Sequence, residues 1–377
     1  MNKVIVIPDS FKGSMSSLEI CHITQEKILS YFPQCDVLSF PVADGGEGSV
    51  DSFLYALGGE RIEVEVSGPY FTPTKSFYGI VNNDTAIIEM AACSGLPLVQ
   101  DDLRPDETTT FGVGQLILDA AQRGCKKIIV GLGGSATNDG GVGAASAVGV
   151  RFYNSEEKEF IPTGKNLSAI TRIDMSHKHP LLQEVEIIGM CDIDNPLFGK
   201  EGAAYVFAPQ KGADEDLVVL LDEQLRALDH RIVTDLHKEV SQIAGSGAAG
   251  GLGAGMVAFF DASLQLGIDL VLDLLEFDSH LQDTDLVITG EGKLDISSVR
   301  GKVISGIAHR TKVQHIPLVA IVGDIGDEID EIYDLGVTAV MSINRVAQDF
   351  SVVKKRAQSD LHLTVDTLMR LVKNFRS

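Results

Sequence analysis

Short apolar segments followed by stretches with helical spacing occur at both ends of this chain. The run KVIVI near the start is all apolar and β-branched, which is typical of a strand buried on both faces of a parallel sheet. A second such unit starts at DVLSFPV, and three more start at DLVIT, PLVAIVG and AVMSI near the other end. This alternation predicts an α/β fold with a doubly wound parallel sheet.

The residues between these two sets have a different sequence pattern, with a hairpin-like pair of segments, glycine-rich loops and mixed helices. A chain of 377 residues also exceeds the size at which one core usually keeps growing. We therefore expect a discontinuous domain formed by residues 1–60 and 282–377, interrupted by a second α/β domain at 61–281. The active site is expected in the cleft between the two domains.

Charge and cysteine usage exclude several classes of partner and location. The chain has 53 acidic and 31 basic residues, and a net charge of -22 repels nucleic acid and anionic membrane surfaces. Five cysteines, with no C-x-x-C pair, predict reduced thiols. The first residues lack the features of a signal peptide, so we expect a cytoplasmic protein. The uncharged run 240–260 contains G-x-x-x-G, but its glycines and polar residues argue against a membrane span.

The pattern G-E-G-x-x-D occurs twice, at residues 46–51 and 290–295, each time just after a predicted strand. The carboxyl ends of parallel strands share one edge, where ligands bind. Carboxylates crowded there repel one another unless a cation or proton donor joins them, so the two copies favour a ligand site. A turn that places each glutamate near a helix N-terminus is the alternative. The acidic residues predicted at this edge are Asp9, Asp44, Glu47, Glu291 and Asp295.

A second glycine-rich pattern, GLGGSATNDGGVG, follows the predicted strand KKIIV. Backbone N–H groups of Gly133, Gly134 and Ser135, with the start of the next helix, can cradle a phosphate or carboxylate. A purely structural glycine turn is the alternative. Gly131 and Ala136 complete a weak match to the dinucleotide fingerprint, but the acidic residue expected about 20 positions on is missing. The chain has neither a P-loop nor the protein-kinase signatures, so ATP binding would require another kind of phosphate-binding site.

Isolated polar residues near predicted strand ends supply further candidates. Asp192 follows a strand that ends at Cys191, and it either acts as a general base or caps the turn. Cys191 is interpreted as a packing thiol rather than a nucleophile. Lys12 either meets a substrate carboxylate or phosphate, or is solvated. In the run 108–110, one threonine is expected to cap a helix. The scattered histidines make a structural zinc site improbable.

Several of these motifs together resemble a known family. They are PDSFKGSMSS, PVADGGEGSVDSF, GLGGSATNDGGVGAASAVG, CDIDNPLFG, FAPQKGAD, GAAGGLGAGMVAF and TGEGKLD. In this order, over nearly the whole length, they resemble the bacterial glycerate kinases of glucarate, galactarate and glyoxylate utilisation. The resemblance implies a flavodoxin-like (Rossmann-like) domain interrupted by a second α/β domain. It also implies phosphorylation of D-glycerate, usually on the 2-hydroxyl to give 2-phosphoglycerate, with ATP and Mg²⁺.

Two positions depart from the family pattern. Asp295 is followed by Ile296-Ser297-Ser298 where the family commonly has Ser-Gln-Thr, and Pro105-Asp106 replaces a Pro-Leu. The first change removes an amide that could contact nucleotide or substrate, whereas the aspartates and glycines are kept.

These observations give a hypothesis for the site of a phosphoryl transfer. Asp192 is assigned as the base for the glycerate hydroxyl, and Lys12 as the group that neutralises carboxylate or phosphoryl oxygens. The other assignments are Asp9, Ser10, Asp44 and Asn138 for substrate; Gly133, Gly134, Ser135, Gly290, Glu291 and Gly292 for nucleotide or phosphate; and Asp44, Glu291 and Asp295 for Mg²⁺.

Other functions stay open at this point. Another small hydroxy acid could be the acceptor, and a dinucleotide-dependent oxidoreductase or a non-catalytic sugar-acid sensor would use a similar cleft. The sequence allows a homodimer but does not fix the oligomeric state.

Overall fold

The structure, a computed structural model, describes residues 1–42, 48–295, 298, 303–327 and 329–376. The strands are β1 Lys3–Pro8, β2 Asp36–Ser39, β3 Glu60–Ser67, β4 Pro73–Val81, β5 Thr85–Glu89, β6 Lys127–Gly131, β7 Arg151–Tyr153, β8 Glu159–Phe160, β9 Arg172–Asp174, β10 Glu186–Met190, β11 Ser263–Gln265, β12 Leu286–Gly290, β13 Lys293–Leu294, β14 Leu318–Val322, β15 Asp324–Ile325 and β16 Val337–Ser342.

The α-helices are α1 Ser17–Tyr31, α2 Ser49–Leu57, α3 Ala91–Ser94, α4 Phe111–Gln122, α5 Val142–Ala147, α6 Ala203–Phe207, α7 Glu215–Leu236, α8 Ala248–Phe260, α9 Gly267–Leu274, α10 Phe277–His280, α11 Val303–Val313, α12 Glu331–Leu335, α13 Phe350–Val353 and α14 Ala357–Arg376. Short 3-10 helices lie between some of them, for example at Pro209–Lys211.

The chain divides into two compact units. The first unit consists of Met1–Asp44, Tyr55–Leu57 and Leu266–Ser377, and the second consists of Gly45–Leu54 and Gly58–Gln265. The domain boundaries predicted at residues 60 and 282 stay predictions.

The first unit contains a five-stranded sheet in the order β16-β14-β12-β1-β2. Every neighbouring pair is parallel. Numbered along the chain within this sheet, the order is 2-1-3-4-5, which is the flavodoxin-like arrangement. The prediction of an α/β fold with a parallel sheet is therefore confirmed.

The core of the first unit explains why its strands are apolar throughout. In β1, all four residues from Val4 to Ile7 are buried, so both faces of the strand are covered. Helix α1 starts at a capping box, in which the Ser16 N–H donates to the Glu19 carboxylate and the Glu19 N–H donates to Ser16 Oγ. Helices α1 and α14 pack against each other and against this sheet.

The second unit contains a six-stranded mixed sheet in the order β11-β10-β6-β5-β4-β3. The predicted hairpin is present as the antiparallel pair β3 and β4, and β4 also pairs antiparallel with β5. The strands β5, β6, β10 and β11 are parallel, so their carboxyl ends meet at one edge. A separate antiparallel sheet has the order β8-β7-β9.

The glycine-rich run before and within α8 is an interior packing element of the second unit. Ala249, Gly250 and Gly251 all have left-handed backbones, with φ of 54°, 66° and 89°. A Cβ atom at Gly250 would lie 2.0 Å from the carbonyl oxygen of Thr137, and the Gly140 N–H donates to the Gly250 carbonyl at 3.0 Å. Two backbones thus meet where no side chain fits. Within the described ranges, no helix has the length and apolarity needed to cross a membrane.

This close approach predicts that Gly250→Ala is strongly destabilising. The new methyl group meets a backbone oxygen and sits on a left-handed backbone, so we expect a loss of about 3 kcal/mol or more in the free energy of unfolding. Gly124 is a matched control, because it is also left-handed, with φ of 93°, but a methyl group added there would have nothing within 4 Å.

Gly124→Ala should therefore show only the backbone cost, about 1 kcal/mol. Urea unfolding followed by circular dichroism measures both variants. Equal losses in the two variants would contradict the steric explanation.

Candidate functional site

In the first unit, the strand order reverses between β1 and β12, and ligands of such sheets bind at this position, beyond the carboxyl ends of the strands. The Asp9 N–H donates to the Gly290 carbonyl at 2.8 Å, which ties the end of β1 to the end of β12. The side chain of Asp9 accepts from the Ser10 N–H at 2.6 Å. Glu291 follows directly and is buried. Asp9, Ser10 and Glu291 are therefore brought together at the switch point.

Lys12 and Gly292 belong to the same edge. Lys12 lies in a tight turn closed by the Phe11 N–H, which donates to the Met15 carbonyl at 2.8 Å, and its side chain is exposed. A Cβ atom at Gly292 would lie 3.3 Å from the Lys12 nitrogen, so the two backbones are neighbours. The structure thus brings the predicted lysine to the second G-E-G turn.

Gly290 and Asp295 frame that turn. A Cβ atom at Gly290 would lie 2.0 Å from the Ile321 carbonyl oxygen, so packing against the neighbouring strand accounts for this glycine. Asp295 is half-buried, and its backbone is fixed by Ser298, whose N–H donates to the Asp295 carbonyl at 2.9 Å. Lys293 Nζ lies 3.8 Å from the Asp295 carboxylate.

Several predicted residues lie outside the described part of the chain. They are Asp44, Glu47 of the first G-E-G pattern, and Ile296 and Ser297 of the segment that departs from the family pattern. Among the residues that the structure does describe, no group of three His, Cys, Asp or Glu side chains is arranged to hold a metal ion. The Mg²⁺ assignment to Asp44, Glu291 and Asp295 thus stays a prediction.

In the second unit, the predicted phosphate loop follows β6. The carbonyl of Gly134 and the N–H of Ala136 bond to the backbone of segment 94–96, at 3.0 and 2.9 Å. Ser135 lies between these two bonds, opposite Gly95. In antiparallel pairing, a residue in that position directs its own N–H away from the paired segment. The Ser135 amide is therefore directed to the other side of the loop.

Lys211 lies beneath this loop and was not predicted as a site residue. Only 2% of it is exposed, and its Nζ donates to Ser135 Oγ at 2.8 Å and to the Thr137 carbonyl at 2.7 Å. Burial lowers the pKa of Lys211 to about 7, while the charge of Asp139 acts in the opposite direction. A buried lysine thus supports the loop from inside.

Asp139 occupies the place at which a bound anion is expected from the sequence. Its fully buried carboxylate accepts from the N–H groups of Gly141 and Gly143, at 3.1 and 3.3 Å, at the start of α5. It also accepts from Thr110, through the N–H at 2.8 Å and Oγ1 at 2.9 Å. Burial raises the pKa of Asp139, and these hydrogen bonds oppose the increase. The Asp139 carboxylate therefore occupies the N–H groups at the N-terminus of α5. The prediction that the start of this helix helps to bind a ligand is wrong.

The expected bond from the threonine run to a helix start is made by Thr109, whose Oγ1 accepts from the N–H of Phe111, the first residue of α4, at 3.1 Å. Thr110 stands at the N-cap of α4 but makes no side-chain cap bond, because its hydroxyl donates to Asp139 and accepts from the Ala144 N–H at 3.0 Å. The dinucleotide fingerprint requires a helix directly after the glycine turn, whereas α5 begins only at Val142.

Asn138 is the other unusual group of the loop. Its side chain is 0% exposed, and neither Oδ1 nor Nδ2 has a hydrogen-bond partner among the described residues. A buried amide with no partner costs about 1 to 3 kcal/mol, and such groups in native proteins are rare. Asn138 therefore has the capacity to donate to and accept from a ligand.

Asp192 lies beside the loop in the sheet. Gly131 at the end of β6 is paired with Met190 at the end of β10, and Asp192 follows two residues later. Its side chain is half-buried. Burial raises the pKa of the neighbouring Cys191 to about 11, which keeps this thiol protonated at neutral pH and fits a packing role.

Glu89, at the end of β5, is a buried acid that local sequence patterns do not reveal. Its side chain accepts from the Val50 N–H at 2.7 Å. Helix α2 has Gly48 at its N-cap and no side-chain cap of its own. Glu89 therefore stabilises the start of the helix that follows the first G-E-G pattern in the sequence.

Comparison with known proteins assigns this α/β protein to a family. The glycerate kinase family model matches residues 4–373. A glycerate kinase from Bacillus cereus is 42% identical over 368 residues, which is 97% of each chain. A glycerate 2-kinase from Escherichia coli K12 is 40% identical over 343 residues, 90% of each chain.

A solved structure agrees with this assignment. The crystal structure of a protein provisionally named glycerate kinase 2, from Salmonella typhimurium LT2, is similar with a TM-score of 0.88 and 38% identity, and the match covers 100% of this chain and 99% of that one. The chain belongs to the glycerate kinase family, and it is a kinase. Membership of this family implies that ATP is used.

The buried lysine predicts a specific pH dependence of stability. Its ordinary pKa of 10.5 falls to about 7 on folding, so between these pH values the unfolded chain binds more protons than the folded chain. The free energy of unfolding therefore rises with pH in this window, by at most about 1.4 kcal/mol per pH unit from this group. Below pH 7 both states are protonated and the contribution is constant.

Urea unfolding of the wild type and of Lys211→Met at several pH values from 7 to 10 isolates this contribution. The wild type should gain stability relative to the variant as the pH rises. A difference that does not change with pH would contradict the assignment.

Proposed function

We propose that this kinase transfers the γ-phosphoryl group of ATP to D-glycerate and forms 2-phosphoglycerate. Family membership supports the acceptor, and the relative named glycerate 2-kinase supports the position of transfer. The observation that carries the proposal in this chain is the buried amide of Asn138, whose two polar atoms have no partner among the described residues. A small hydroxy acid, which carries carboxylate acceptors and hydroxyl donors, has the groups that such an amide needs.

Asp192 is proposed as the base. It stands at the carboxyl edge of the parallel strands, directly after the strand that pairs with β6 and its glycine loop. A half-buried carboxylate there can orient the acceptor hydroxyl and receive its proton as the phosphoryl group is transferred. Ser135 and its neighbouring amides would stabilise the negative charge of a bound oxyanion.

The first unit supplies groups suited to a nucleotide and its metal ion. The carboxylates of Glu291 and Asp295, together with Asp44, would hold Mg²⁺, because carboxylate oxygens are the ligands that this ion prefers. When bound, the ion neutralises phosphate charge. Gly290 to Gly292 would approach the nucleotide, and the exposed amine of Lys12 would attract phosphoryl or carboxylate oxygens.

The cytoplasm is the proposed location. ATP is available there, and thiols stay reduced. Cys21 and Cys93 are buried, and burial raises the pKa of Cys93 to about 12, consistent with inert thiols.

The proposal predicts ADP formation that depends on D-glycerate. A coupled ADP assay with ATP, Mg²⁺ and D-glycerate should give sustained turnover, with L-glycerate and glycolate as controls. Phosphorus NMR of the product distinguishes 2- from 3-phosphoglycerate. Binding of D-glycerate measured by calorimetry, without ADP release, would instead support a sensor, and turnover on another hydroxy acid alone would change the acceptor.

Asp192→Asn should lower kcat by roughly a hundredfold to ten-thousandfold, because the amide cannot accept the hydroxyl proton. The neighbouring Asp194→Asn is a matched control, since Asp194 is exposed in the same loop and should keep near-normal kcat. Circular dichroism confirms that both variants are folded. A kcat for Asp192→Asn within a few-fold of the wild type would remove Asp192 from the base role.

A further inference from the structure

A contribution to stability alone does not explain the burial and the hydrogen bonds of Lys211. It is buried, and within the described residues its two hydrogen bonds go to neutral acceptors, Ser135 Oγ and the Thr137 carbonyl. Removing an ammonium group from water is costly unless an opposite charge is bonded to it. The nearby carboxylate of Asp139 is instead engaged by backbone N–H groups and threonine hydroxyls. This arrangement keeps the positive charge beneath the loop largely unneutralised by direct contact.

The two bonds of Lys211 fix the loop at positions on both sides of Ala136. One reaches the side chain of Ser135, and the other reaches the backbone of Thr137. Segment 94–96 holds the same stretch from another direction, through Gly134 and Ala136. Because these bonds hold the loop from both directions, they fix the position of the Ser135 N–H. They also fix the position of Asn138, which directly follows Thr137.

We infer that Lys211 is a positioning residue for oxyanion binding by the loop 133–138. It sets the Ser135 N–H and the Asn138 amide in place, and when it is protonated it adds a positive charge beneath them. The ligand chemistry is an oxyanion on a small substrate, either the carboxylate of D-glycerate or the phosphoryl oxygens of ATP. The identity of these two substrates rests on the proposed function.

The charge of the whole chain favours a local cation of this kind. A net charge of -22 repels anionic substrates, and both substrates of the proposed reaction are anions. A charge in a site shielded from water acts more strongly than the same charge on the surface. Lys211 is shielded, whereas the side chain of Lys12 is exposed. When it is protonated, the buried lysine thus adds a local attraction for anions in its own unit.

The test compares Lys211→Met with Lys178→Met. Lys178 is a matched control because its side chain is only 12% exposed in the same unit, but its partner is a carboxylate of Asp261, 3.5 Å away, rather than the loop. We expect Lys211→Met to raise the KM of one substrate by tenfold or more while kcat changes by less than threefold. The substrate whose KM rises identifies the oxyanion. Lys178→Met should change neither parameter.

A merely structural lysine would give a different result. The variant would then lose thermal stability and active fraction with both KM values unchanged. Both KM values within twofold of the wild type in a folded Lys211→Met protein would overturn the inference.

Ser135→Ala provides a second, independent test if Lys211→Met does not fold. It removes the hydroxyl that accepts from Lys211 and leaves the lysine in place, so it should raise the same KM. In the double variant, the two effects on KM should be less than multiplicative, because they act through one bond. A Ser135→Ala protein with an unchanged KM for both substrates would contradict the inference.

Failure of the proposed function is distinguishable from failure of this inference. If the wild type forms no ADP with D-glycerate, calorimetric titration with ATP, D-glycerate and inorganic phosphate still measures oxyanion binding by each protein. Weaker binding of any of these probes by Lys211→Met than by Lys178→Met would support the inference, and equal binding would overturn it.

Discussion

The carboxylate of Asp139 organises the second unit around its glycine loop. It joins the start of α4, through Thr110, to the start of α5, through the N–H groups of Gly141 and Gly143. A buried carboxylate is tolerated only when several donors stabilise it, so these two helix ends and the loop between β6 and α5 must form together. The positions of Asn138 and Thr137, which precede this residue, depend on the same bonds.

The loop is also confined by backbone packing on its other side. The left-handed residues Gly250 and Gly251 at the start of α8 approach Thr137 and Gly140 so closely that no side chain fits at these two positions. Strained backbone of this kind costs free energy and persists where the surrounding structure enforces it. Ala249 adopts it without being a glycine, and its carbonyl accepts from Thr137 Oγ1 at 3.4 Å. These contacts constrain the loop in the absence of a ligand, and such preorganisation reduces the entropy lost on binding.

The sequence predicted those features that depend on local patterns. Apolar β-branched runs identified the parallel strands, and the rule that their carboxyl ends share an edge placed Asp9 beside Glu291. Features that depend on tertiary burial were missed. Lys211 lies in a short 3-10 helix far along the chain from Ser135, and nothing in its local sequence shows that it is buried. In the threonine run, Thr109 bonds the first N–H of α4 as expected, whereas the Thr110 hydroxyl bonds Asp139, a tertiary contact that the local sequence does not show.

The pairing of β1 with β12 has a consequence for synthesis of the chain. Val4 is in register with Leu286 of β12. Strand β1 therefore cannot pair with β12 until more than two thirds of the protein has been translated. The second unit is complete at Gln265, before that neighbour exists. Domains generally fold as units as they emerge from the ribosome. The nascent chain must therefore carry an apolar strand, covered on one edge at most by β2, while an entire folded unit is made behind it. This delay follows from a sheet whose two halves are encoded at opposite ends of the gene.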